Sequence, residues 1–168
     1  MASDKLKPCG YLIAPVGDSR PPAEKTSIHK LLKPIRPVLG VTGRFLLGLY
    51  FVLPGISKIT GFDGTTQYMI EHGVPLAAML LPITIVLQIG GGAALILGWQ
   101  TRAMALMLAG MTLAINLFMH DFWNVYAGLS QAHETQNFVK NLAIMAGLLA
   151  LAAGPGTQAL SLDGRKNN

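Results

Sequence analysis

Apolar residues come in four long runs. They lie from about Val38 to Ser57, Pro75 to Leu97, Ala103 to Met119 and Phe138 to Ala153. Each is close to the roughly 20 residues with which an α-helix crosses a hydrocarbon core of about 30 Å. Backbone in lipid must satisfy its own hydrogen bonds, so the pattern predicts an all-α fold: an integral membrane four-helix bundle. Thr60 to Val74 reads as a polar loop, and Pro75 suits the first turn of the second helix. Gly98-Trp99-Gln100-Thr101-Arg102 leaves room only for a tight turn, which makes spans two and three antiparallel neighbours. Gly154-Pro155-Gly156 stops the fourth helix.

The runs are not uniform. In the first, Arg44, Gly48, Gly55 and Lys58 fall within an arc of about 80° at 100° per residue. Cations stand at both ends of that face, and glycines between them let a neighbouring helix approach. Pro54 and Pro82 are expected to kink their helices. Gly90-Gly91-Gly92 thins the second span, whose one strong polar group is Gln88. At about 1.5 Å per residue, Arg44 and Gln88 reach similar depths, so they form a candidate intramembrane polar pair with Gln88 accepting from Arg44.

Between the last two runs lies a different stretch, Asn116 to Asn141. It gathers His120, Asp121, His133, Glu134 and the aromatic residues Phe118, Phe122, Trp123 and Tyr126. Such a mixture marks a membrane–water boundary. A second polar layer, Asn116, Lys140, Asn141 and Lys58, is expected to converge beneath His120 and Asp121. Asp63, Asp121 and Glu134 are the acids available to its two lysines.

Composition agrees with the pattern. Of the 168 residues, 51% are hydrophobic and only 12% charged, against about 25% charged in ordinary soluble domains. The mean hydropathy is +0.45. The net charge of +5 is concentrated: seven of thirteen Lys and Arg precede the first run. That is the flank of a cytoplasmic terminus rather than a nucleic-acid surface, and no nucleic acid is expected as partner. With four spans, both termini fall in the cytoplasm. Residues 1–37 form a basic, Pro-rich tail, disordered unless a partner orders it. Residues 38–156 form the membrane domain, and residues 157–168 a cytoplasmic C-terminal tail. The single cysteine, Cys9, excludes a disulfide framework and Cys-based metal clusters.

The chemistry on offer is limited. Haem needs matched ligands, and only His120 borders a span suitably. His72, His120, His133 and Glu134 have metal-ligand chemistry but no recognisable ligand spacing, so neither haem nor metal is expected, nor any covalently bound cofactor. Nucleotide loops and nucleophile elbows are absent. A quinone headgroup fits better, since it needs hydrogen-bonding groups beside an apolar slot at the membrane boundary. His120, Asp121, Trp123, Asn137, Lys140 and Asn141, with Lys58 and Asn116, supply them.

Several of these pieces resemble the DoxX family of small bacterial inner-membrane proteins. They are Gly43-Arg44 with Gly55-Ile56-Ser57-Lys58, Gly90-Gly91 through Leu97-Gly98-Trp99-Gln100-Thr101-Arg102, and His120-Asp121-Phe122-Trp123. Gln136-Asn137-Phe138-Val139-Lys140-Asn141 and the ending Ser161-Leu162-Asp163 complete the likeness. The resemblance covers residues 38–163. It implies a four-helix inner-membrane protein associated with redox assemblies, here an accessory or quinone-proximal subunit of an oxidoreductase complex, its protein partners docked through residues 1–37. Gln88 stands where the family often has Glu. The alternatives are a non-catalytic scaffold or assembly protein and a small-molecule or anion transporter.

Overall fold

The computed structural model describes residues 33–125, 130–154 and 162–165. The chain divides into two units, Met1–Pro34 and Ile35–Asn168, and every helix described belongs to the second. The expectations for the N-terminal tail, Tyr126 and Pro155-Gly156 fall outside the described residues. The described structure is all-α: α1 (Arg36–Thr60), α2 (Phe62–Glu71), α3 (Ala77–Leu97), α4 (Thr101–Met119), α5 (Gln131–Ala153) and α6 (Leu162–Arg165). Four of these, α1, α3, α4 and α5, are long and apolar enough to cross a membrane.

Burial is inverted relative to a soluble bundle. Leu39, Leu46, Leu53, Met79, Val86, Leu106, Leu117 and Leu149 face outward, while Arg44, Gln88, Thr112, Asn116 and Asn141 are buried. In water such a surface is an association hazard. In lipid it is neutral, and the polar groups must find partners within the bundle.

The helices pack mainly as two pairs, α1 on α3 and α4 on α5, joined by α3 against α4. Glycine permits the first pairing. A Cβ on Gly48 would lie 2.5 Å from the Gly92 carbonyl oxygen, and one on Gly92 would lie 2.7 Å from that of Gly48. The two backbones therefore touch, and dispersion between them replaces the hydrophobic drive that lipid removes. Phe51, Leu95, Leu108 and Leu148 bring all four long helices into one apolar core.

The end of the bundle that holds the N-terminus of α1 is the tail end; the other is the rim end. At the tail end, Gly98 closes α3 in the left-handed region, with φ 67°. The Trp99 N–H donates to the Ala94 carbonyl at 2.8 Å and the Gly98 N–H to that of Leu95 at 3.1 Å. This is the tight turn expected. Gln100, the N-cap of α4, offers no side-chain cap. Asp163 of α6 replaces it: its carboxylate accepts the backbone N–H groups of Gln100 at 2.8 Å and Thr101 at 3.0 Å, and the Thr101 hydroxyl at 3.3 Å. The same carboxylate acts electrostatically on Arg44, which is only 2% exposed. The expected Arg44–Gln88 pair does not form, because the Gln88 carboxamide oxygen accepts no hydrogen bond among the described residues.

Three expectations need correction at the rim end. Residues 62–71 are not a loop but the helix α2, whose Met69 packs with Ala77, Leu81 and Ile85 of α3. Gly64, Thr65 and Thr66 suggest coil, yet both threonine hydroxyls bond back to carbonyls four residues earlier, at the N-cap and in the first turn of the helix. The fourth helix begins at Gln131 rather than Phe138, so His133, Glu134 and Asn137 stand on α5. Pro75 precedes its helix: Leu76, with φ 52°, is the N-cap of α3.

Candidate functional site

Shifting residues 131–137 into a helix turns the rim residues toward a shared interior. Between the helix pairs, under α2, lies a cavity of about 490 Å³. Tyr50, Pro54 and Lys58 line it from α1, on one i, i+4, i+8 row. Gln88 enters from α3, Ile115 and Met119 from α4, and Asn137, Lys140 and Asn141 from α5. Thr65, Tyr68 and Met69 of α2 close over the rim end. Phe51, Leu81 and Met69 supply apolar wall beside these polar groups. Pro54 lacks an N–H, which frees the Tyr50 carbonyl from its usual bond one turn on.

Three polar clusters surround the cavity. His120, the C-cap of α4, places its Nδ1 2.7 Å from Glu134 Oε2. The Tyr68 hydroxyl donates to the other Glu134 oxygen at 3.3 Å, with the Met119 carbonyl at 3.5 Å. Glu134 is 6% exposed, so a buried carboxylate is held by a phenol and an imidazole from two other helices. The second cluster joins opposite ends of the sequence: the Tyr50 hydroxyl donates to Asn141 Oδ1 at 2.9 Å. In the third, Lys140 Nζ donates to Asn137 Oδ1 at 2.8 Å. Lys58 makes no hydrogen bond or ion pair with the described residues, although it lines the cavity. Asp63, Asp121 and Glu134 therefore do not serve the lysines as expected; Glu134 is engaged by His120.

Of the residues singled out in the sequence, Lys58, Gln88, His120, Asn137, Lys140 and Asn141 line the cavity. Asn116, Asp121 and Trp123 do not. Asn116 is buried and donates to the Phe138 carbonyl at 3.1 Å, fastening α4 to α5. Asp121 accepts from Asn124 at 2.6 Å and shapes the turn after α4. Trp123 packs edge-on against Phe122 and Phe138 and stays half exposed, as an interfacial aromatic does. His72 Nδ1 donates to the Tyr68 carbonyl at 2.8 Å within its own helix, and His133 is exposed. No three His, Cys, Asp or Glu side chains converge on a metal position among the described residues.

Sequence reasoning missed Tyr50, Tyr68 and the part played by Glu134. The row Tyr50-Pro54-Lys58 was available as a signal for Tyr50. Tyr68 was hidden because its segment reads as coil.

Comparison with known proteins supports this architecture. The DoxX family model matches residues 39–121, and the SURF4 family model matches residues 81–168. Inner membrane protein YqjF of Escherichia coli (strain K12) is 38% identical over 133 residues, covering 79% of this chain and 95% of the relative. Inner membrane protein YphA of the same organism is 36% identical over 131 residues, 77% of this chain and 91% of the relative. No solved structure matches the chain. The DoxX match runs through the first three long helices and ends at Asp121, on the cavity's rim, and the relatives align over most of their length: the chain belongs to the DoxX family.

Proposed function

We propose that the cavity binds a quinone-type headgroup and that the protein is the quinone-proximal membrane subunit of an oxidoreductase complex. The observation that carries this is Lys58: a cation in a membrane span, with no partner among the described residues, lining a cavity with apolar walls. An intramembrane charge costs a few kcal/mol or more unless something answers it. A headgroup oxygen does so, with His120 and the Tyr50–Asn141 pair within the same lining. The volume falls in the ordinary range for a small-molecule site and has room for a substituted ring. Met69, Leu81 and Ile115 offer the apolar surface that the ring and its chain need. Electrons enter and leave through a partner redox subunit.

The similarity to inner-membrane proteins points to the inner membrane as location. The excess of Lys and Arg at the tail end orients both termini to the cytoplasm, so the cavity faces the outer leaflet.

The test is binding of decylubiquinone to the full-length protein in lipid nanodiscs, read by quenching of tryptophan fluorescence. Saturable binding that Lys58→Met weakens about tenfold is expected, as for loss of one charge-assisted hydrogen bond. Binding no greater than to empty nanodiscs removes the headgroup reading. A mild-detergent pull-down from the native membrane tests the subunit reading. Elution with flavin-, haem- or copper-bearing subunits supports it; elution alone and colourless refutes it.

A further inference from the structure

Glu134 gives the site a direction. Its two oxygens lie within hydrogen-bond distance of Tyr68 Oη and His120 Nδ1, and the carboxylate form, an acceptor only, needs both neighbours to donate. Tyr68 Oη is the donor to Oε1, because a phenol carries its proton at any ordinary pH. The 2.7 Å contact to Oε2 then requires the imidazole proton on Nδ1. In the neutral ring this leaves Nε2 as an acceptor, and the hydrogen bond His120 makes among the described residues is through Nδ1. His120 lines the cavity, whereas Glu134 does not, and its side chain is the more open of the two, 19% exposed against 8%. Lys58 lines the same cavity from α1, and an ammonium can only donate. The site therefore combines one acceptor from α4 with one donor from α1.

We infer that Glu134, by fixing the His120 tautomer, makes the cavity selective for a ring that carries a phenolic hydroxyl, the reduced quinol rather than the quinone. This rests on the headgroup reading above. A quinone has only acceptor oxygens. Placed here, it satisfies Lys58 but sets an oxygen against the His120 lone pair. A quinol donates to His120 Nε2 with one hydroxyl and accepts from Lys58 with the other. A site built to bond a hydroxyl rejects an analogue lacking it, because its own polar group is left unpaired. Glu134 touches no ligand in this scheme; it is a positioning residue acting through His120.

The experiment compares decylubiquinol and decylubiquinone on the full-length protein in nanodiscs, under anaerobic conditions. It is run at a pH where the ¹⁵N spectrum of labelled histidine reports a neutral His120 ring. Wild-type protein is expected to show Nδ1–H as the dominant tautomer and to bind the quinol about tenfold more tightly than the quinone, the worth of one unmade hydrogen bond. Glu134→Leu is expected to lose both the tautomer preference and the discrimination while still binding either form. If Glu134→Leu does not fold, Glu134→Gln serves: its amide group can donate to Nδ1, so the Nε2–H tautomer appears and preference moves toward the quinone. Equal binding of the two forms by wild-type protein, or discrimination that survives loss of the tautomer preference, overturns the inference while leaving headgroup binding intact. Binding of neither form overturns the headgroup reading itself.

Discussion

Asp163→Ala tests the claim that the C-terminal helix is part of the bundle. The wild-type carboxylate takes two backbone N–H groups and one hydroxyl at the start of α4, and its charge acts on buried Arg44. Loss of a helix cap costs about 1 kcal/mol. Leaving N–H donors without a charged acceptor adds about 1–3 kcal/mol. The sum is about 2–4 kcal/mol, and water at this half-exposed end keeps it below the top of that range, so the working figure is about 3 kcal/mol. For a chain of this size each kcal/mol moves the melting temperature by about 2–4 °C, so a fall of roughly 6–12 °C is expected. The assay is thermal unfolding of the full-length protein in one detergent, followed by circular dichroism. Asp163→Asn separates the two roles, since it keeps an acceptor but loses the charge; its fall should be smaller. In an Arg44→Met background the penalty of Asp163→Asn should shrink, because neighbours coupled by charge are not additive. A melting temperature for Asp163→Ala within about 1 °C of wild type would refute the capping argument, which requires several times that shift. An Asn penalty unchanged by Arg44→Met would refute the electrostatic part alone.

Other outcomes follow from the same geometry. Gly48→Val should abolish stable accumulation or lower the melting temperature by roughly 10 °C, since overpacking here pushes backbone against backbone. Gly110→Ala, where an added Cβ meets nothing within 4 Å, should be neutral in the same expression and melting assays. Tyr50→Phe strands the Asn141 oxygen and should cost about 1–3 kcal/mol in denaturant unfolding; adding Asn141→Leu should recover part of it. A phosphatase or fluorescent-protein fusion at residue 168 should report the cytoplasmic side, and the opposite reading would reverse the orientation of the cavity.

The spans were legible because lipid imposes one rule on every helix, and the tight turn at Gly98 because only glycine enters the left-handed region at little cost. What was hidden depended on tertiary context. Residues 62–71 have little apolar periodicity, and their helix is held by Met69 against α3 and by Tyr68 reaching Glu134 on α5. Once α5 starts at Gln131, Glu134 lies one turn before Asn137 and Phe138 and faces inward; read as loop, it has no face. Asp163 stands out in the sequence only as part of the ending Ser161-Leu162-Asp163, because nothing local shows that a residue 62 positions after Thr101 caps its helix. Half of the site was visible because lysine, histidine and asparagine are rare within membrane-length runs. The tyrosines were not, since tyrosine at such a boundary is ordinary.

The Tyr50–Asn141 bond spans 91 positions. During synthesis, Tyr50, Lys58 and Gln88 emerge and enter the bilayer well before Asn141 is made. At roughly 5–20 residues per second, the first helix waits several seconds for the last. The early helices thus pass through an intermediate in which their polar face has only lipid, water or the translocation machinery to answer it. Contact between the glycine backbones of α1 and α3 needs nothing made later than Gly92, so this pair can close while the polar face is still waiting. The order of the residues along the chain sets an order of assembly in the membrane: an apolar hairpin first, the polar chamber last.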